Sequence, residues 1–137
     1  MAVIVVTAIL YVTVLTRSES GAGADFIPFS SFERAKIQPE MYRSMLMNVF
    51  LFLPLGLAFP FIFGGGTGKR ILLTILVGLV LSVTVEAIQC FAHLGMAETD
   101  DVICNTVGTT IGSFAYLLAL LWRKLFNKTK ERRTPDE

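Results

Sequence analysis

Two cysteines and one histidine are all that this chain of 137 residues holds of the side chains that staple small folds or bind transition metals. Cys90 and Cys104 allow at most one bridge, and neither makes a metal-ligand spacing, so a disulfide framework and a zinc module are both excluded. Two inert thiols packed against protein or lipid are expected. Charge is scarce as well: 17% of the residues are charged, against about 25% in soluble domains. A net charge of +1 lacks the basic footprint of a nucleic-acid binder. The glycines of Gly64-Gly65-Gly66-Thr67-Gly68 follow no strand and lack the phosphate-loop spacing, so they read as a turn between two antiparallel helices. No repeat or linker divides the chain, and residues 1–137 are expected to form a single domain.

What the sequence does have is apolar length, with 53% hydrophobic residues. Four runs stand out, expected as spans over residues 2–17, 45–63, 71–94 and 102–122. The last three reach the roughly 17–25 residues that a spanning helix needs. The first ends at Arg17, which must snorkel if that run is to cross. Lys69, Arg70 and the six basic residues from Arg123 to Arg133 fall on one side of the expected spans. Arg17, Arg34, Lys36 and Arg43 fall on the other. The positive-inside rule then places both termini in the cytoplasm, with residues 123–137 as a basic tail. Ser20-Gly21-Ala22-Gly23-Ala24 resembles a signal-peptide cleavage region, but no basic stretch precedes the first apolar run, so that run is expected to be retained. The fold class expected is all-α: a four-helix transmembrane bundle, N-in and C-in.

The outer segment from Arg17 to Ser44 interleaves Phe26, Ile27, Phe29 and Phe32 with Glu33, Arg34 and Lys36. That mixture suits the headgroup zone, so an interfacial segment is expected between the first two helices.

The third run contains a carboxylate, Glu86, in an otherwise apolar setting. An ionisable group at that depth costs roughly 2.5–3.5 kcal/mol, so it faces protein or water and marks a candidate site. Ser82, Glu86, Gln89 and His93 recur at helical spacing and are expected on one face. Asp101, Asn105, Gly108 and Gly112 do the same on the fourth run, where Gly108-Thr109-Thr110-Ile111-Gly112 is a small-xxx-small motif that lets a helix approach closely. The two faces should meet near the outer surface, with Glu86 level with Asn105 and Thr109. Asn48 enters the second run from the same side, and Pro54, Gly56 and Pro60 bend that helix or thin its packing face. The structural alternatives are hydrogen-bond glue for Asn48, Asn105 and Glu86, and first-turn helix caps for Asp100 and Asp101. The functional reading is an outward polar pocket of Glu86, Gln89, His93, Glu98, Asp100, Asp101, Asn105 and Asn48. One histidine and scattered carboxylates supply no nucleophile beside a base.

Asn48-Val49-Phe50-Leu51-Phe52-Leu53-Pro54-Leu55-Gly56, Ser82 with Glu86 and Gln89, and Asp100-Asp101-Val102-Ile103-Cys104-Asn105-Thr106-Val107-Gly108 together resemble the VanZ-like family. Phe26-Ile27-Pro28-Phe29 is similar to its upstream Pro-Phe signature. The resemblance implies a small bacterial integral membrane protein. It also implies a link to glycopeptide resistance, notably to teicoplanin, and establishes no reaction. Asn48, Pro54, Gly56, Glu86, Gln89, Asp100, Asp101, Asn105 and Gly108 stand where the family pattern has them. Gly95-Met96-Ala97 departs from it, since many members carry an arginine there that would face the paired aspartates.

The function expected is non-enzymatic modulation of the cell envelope, with membrane lipids, lipid-linked wall precursors or a lipoglycopeptide as partners. The alternative is an intramembrane enzyme acting on a lipid or lipid-linked phosphate through Glu86 and Asp101. Ion passage is disfavoured because Leu72, Leu73, Ile75, Leu76, Val77, Leu79 and Leu81 seal the inner half of the third run.

Overall fold

The computed structural model describes residues 2–15 and 23–131; Arg17 and Ser20 to Ala22 lie outside them. Helix α1 (Ala2–Leu10) runs on into a π-helical turn (Tyr11–Leu15). Strand β1 (Gly23–Asp25) and the short helix α2 (Ser30–Ala35) follow, then α3 (Glu40–Ala58) with a closing 3-10 turn (Phe59–Phe61). Helix α4 (Thr67–Phe91), strand β2 (Met96–Glu98) and helix α5 (Thr99–Glu131) complete the order. Glu40–Phe61, Thr67–Phe91 and Thr99–Lys128 are long and apolar enough to cross a membrane, whereas the apolar helix Ala2–Val14 is shorter.

The glycine turn between α3 and α4 is as the sequence suggests. Gly65 takes a left-handed φ of 101°, and the Arg70 Nε–H closes the turn on the Gly65 carbonyl at 2.9 Å. Pro54 inside α3 removes one backbone donor, and Pro60 sits in the 3-10 turn that ends the helix.

Helix α5 is the post on which the bundle is built. Where a Cβ on Gly108 would stand, the Val49 carbonyl of α3 already sits. The same is true of Gly112 and the Leu53 carbonyl, and of Gly56 and the Thr109 carbonyl. Backbone thus meets backbone along the α3–α5 seam, which apolar side chains alone would hold apart. On the other side Gly78 of α4 makes room for the Thr109 side chain. Ile9, Phe52, Leu55 and Val85 form a small apolar core that draws on α1, α3 and α4.

The chain is mostly helical, as expected, with one short addition at the end of the bundle away from the α3–α4 turn. Strand β1 pairs in parallel with β2, in the register Gly23↔Met96, Ala24↔Ala97 and Asp25↔Glu98. The chain after α1 therefore folds back over the α4–α5 connection as a strap. The helix limits differ from the limits expected for the spans. Helix α3 begins at Glu40 rather than residue 45, α4 begins at Thr67 and stops at Phe91, and α5 begins at Thr99. The basic stretch expected as a tail continues α5 to Glu131. Leu, Arg, Lys and Phe carry no strong helix penalty, and no glycine or proline interrupts them before Pro135.

Candidate functional site

The polar residues gather at the strapped end, where α4 finishes and α5 starts. Ser82, Glu86 and Gln89 on α4 and Asp100, Asp101, Asn105 and Thr109 on α5 are all buried. Their level is set by one interhelical bond: the Asn105 Nδ2–H donates to Ser82 Oγ at 2.9 Å. One turn from this pair towards the strap lie Asp101 on α5 and Glu86 on α4, as the four-residue steps from Asn105 and Ser82 on these antiparallel helices require. Glu86 therefore stands a turn nearer the surface than expected, above the level of Asn105, while Thr109 packs deeper against Gly78. The Glu86 Oε2 accepts the Glu98 backbone N–H at 3.1 Å, so β2 lies directly on this carboxylate. The Asn105 Oδ1 and the Asn48 Nδ2 are buried with no hydrogen-bond partner.

Asp100 has a different task. Its Oδ1 accepts the Phe29 N–H at 2.6 Å and its Oδ2 the Ser31 N–H at 2.7 Å. These are free donors at the start of α2, so the side chain caps a helix distant in sequence rather than its own. Phe29 turns into that helix with a left-handed φ of 67°. Beside it, Ser31 Oγ donates to Glu98 Oε2 at 2.6 Å. Arg34 Nη2 lies 3.1 Å from Asp25 Oδ2 and 3.3 Å from Glu98 Oε1, tying the two strands through their last residues. The Ser30 hydroxyl, the Ile27 N–H and then Arg34 hold the Asp25 carboxyl below its usual pKa. Arg34 thus supplies from α2 the countercharge for Asp25 and Glu98. In the sequence it reads only as one headgroup-zone charge among several.

Gln89 faces α1 instead of the Glu86–Asp101 seam. Its Nε2–H donates to the Thr13 carbonyl at 2.8 Å, within the π-helical turn. Asn48 lies on α3 beside Val49, where Gly108 crosses. His93 departs from the expected face altogether. Helix α4 ends in a Schellman turn, with the Leu94 N–H bonded to the Gln89 carbonyl at 3.0 Å and the His93 N–H to the Cys90 carbonyl at 3.4 Å. His93 occupies its left-handed position, φ 55°, and is exposed. Helical periodicity does not extend to a residue beyond the helix. Of the candidate residues, then, Glu86, Asp101 and Asn105 share one seam, Asp100 and Glu98 hold the strap, Gln89 holds α1, and His93 stands outside. Both cysteines are free thiols. Among the described residues no three His, Cys, Asp or Glu side chains stand where they could share a metal ion.

Three membrane-length apolar helices, closed at one end over buried carboxylates, make this a multi-helix membrane protein whose polar chemistry sits at a helix seam. The chain belongs to the VanZ/LLP1 family, whose model matches residues 2–123. No curated protein and no solved structure matches it.

Proposed function

We propose that this protein lies in the bacterial plasma membrane with four spans and both termini inside. From the outer face it modulates envelope properties, including tolerance to lipoglycopeptides such as teicoplanin. Membership of the VanZ/LLP1 family supports this reading. One observation carries it: Glu86 and Asp101 are 8% and 7% exposed, each one helical turn from the Ser82–Asn105 bond that joins α4 and α5. They lie at the end of the bundle opposite Lys69 and Arg70, which the positive-inside rule keeps in the cytoplasm. Keeping two acidic side chains at that depth is costly, which marks this end of the seam as the place where the polar group of a partner would bind. The partner is a membrane lipid, a lipid-linked wall precursor or a lipid-anchored drug in the outer leaflet. The action in this reading is binding rather than turnover.

The test is drug susceptibility of cells expressing Glu86→Gln or Asp101→Asn at the normal level. Teicoplanin tolerance should fall towards that of cells lacking the protein. Unchanged susceptibility together with an unchanged envelope lipid profile would sink the proposal.

A further inference from the structure

Beyond Leu120, helix α5 loses its neighbours. Every residue from 121 to 128 is exposed, although the helix continues to Glu131. Phe61, in the turn that ends α3, rests edge-on against Tyr116 with ring centroids 4.9 Å apart, so α3 stops more than a turn before this stretch.

The protruding helix has two faces. Leu118, Leu121, Trp122 and Leu125 recur at steps of three and four, and Phe126 joins them through a ring contact with Trp122 at 5.5 Å. Trp122, Leu125 and Phe126 are 67%, 64% and 63% exposed. Arg123, Lys124, Asn127 and Lys128 occupy the other side. In sequence Lys130, Arg132 and Arg133 follow, with Glu131 the one acid before Asp136. This end of α5 has no neighbouring helix to pack on, so its apolar stripe needs other cover.

The charge decides what covers it. A second copy aligned in the same membrane would bring an identical basic face alongside, with no acidic face to receive it. A surface of anionic headgroups over acyl chains complements both faces at once. We infer that residues 121–128 form an anionic-lipid-binding helix on the leaflet opposite the Glu86–Asp101 seam. The apolar stripe enters the boundary between headgroups and chains, and the basic side chains reach the phosphates. This assignment stands apart from the proposed function and holds whichever way the chain is inserted.

Trp122 is the chain's only tryptophan, so Trp122→Phe combined with Phe126→Trp moves the sole reporter to the protruding stretch. The full chain is reconstituted in vesicles of phosphatidylcholine, or of phosphatidylcholine mixed with phosphatidylglycerol. Quenching by aqueous acrylamide should fall severalfold in the anionic vesicles, and high salt should restore it. Adding Lys124→Gln, Lys128→Gln and Lys130→Gln should erase the difference between the lipids. Equal quenching in both lipids overturns the inference, whether position 126 is open in both or sealed in both by a longer span. Shielding that follows the protein-to-lipid ratio rather than the phosphatidylglycerol content points to a second copy and overturns it too. The central comparison changes only the lipid, so misfolding of a variant cannot mimic the expected result.

Discussion

A carboxylate that accepts two backbone N–H groups from a segment about seventy residues away behaves as a fastening, and Asp100 does this at 2.6 and 2.7 Å. Charge-assisted bonds of this kind contribute about 1.5–3 kcal/mol each, and stranding a buried donor costs a similar amount. Asp100→Ala should therefore lower stability by about 3 kcal/mol and Asp100→Asn by about half of that, since the amide keeps one acceptor oxygen. Thermal unfolding in detergent reads the change. Limited proteolysis should show the segment around Phe29 opening first. A variant as stable as the parent, with that segment still protected, would return Asp100 to the list of free ligand groups. Asp25 adds a pH dependence. Its folded-state pKa lies below the ordinary 3.8 because the Ser30 hydroxyl, the Ile27 N–H and Arg34 favour the anion. Its contribution is complete above that ordinary value and disappears as pH falls through the depressed one. Amide exchange in β1 and α2 should thus accelerate below about pH 4, and Asp25→Asn should make exchange there insensitive to pH over the same window.

At the scale of helices, the α3–α5 seam is the most exacting contact. A methyl group on Gly108 or Gly112 would collide with a backbone carbonyl, which cannot swing aside as a side-chain tip can. Overpacking of this sort costs about 1–3 kcal/mol, so Gly108→Ala should destabilise the bundle by that amount. Gly64→Ala and Gly66→Ala, whose added methyl groups meet nothing within 4 Å, should leave stability almost unchanged. Equal effects from all three substitutions would mean that the helices do not cross where described. The motif behind this contact was legible because four-residue spacing of small side chains is a local property of one helix. The spacing of Ser82 and Glu86 was legible for the same reason, whereas Gln89 on the next turn reaches the Thr13 carbonyl, a partner the sequence does not signal. The position of His93 was not, because a Schellman turn is decided by backbone geometry after the last helical residue. The pairing of Asp25 with Glu98, and the use of Arg34 to hold both, join parts of the chain that carry no local signal for each other. Three-residue strands are too short to show an alternating pattern.

For the whole molecule, the apolar surface points outward. Phe50, Leu72, Val80, Val83 and Phe114 are all more than half exposed, while the buried apolar core is small. Such a molecule is stable where hydrocarbon replaces water, and the positions of its charges then define two faces. Helix α5, at 33 residues, is about 50 Å long, well beyond the roughly 30 Å hydrocarbon layer, so both of its ends emerge. Emergence sets Glu33 of the strap and Gly66 of the α3–α4 turn on opposite sides of the bilayer, since α3 alone separates them. The orientation proposed above puts Glu33 outside. In a background where Cys90 and Cys104 are replaced by serine, Glu33→Cys should react with a membrane-impermeant maleimide on intact cells, or on spheroplasts if an outer membrane blocks the reagent. Gly66→Cys should react only after the plasma membrane is opened. Reversed labelling would keep the three-helix core and invert its orientation, carrying the Glu86–Asp101 seam to the cytoplasm and removing the outer-leaflet partner. Labelling of both positions from one side would mean that α3 does not cross at all.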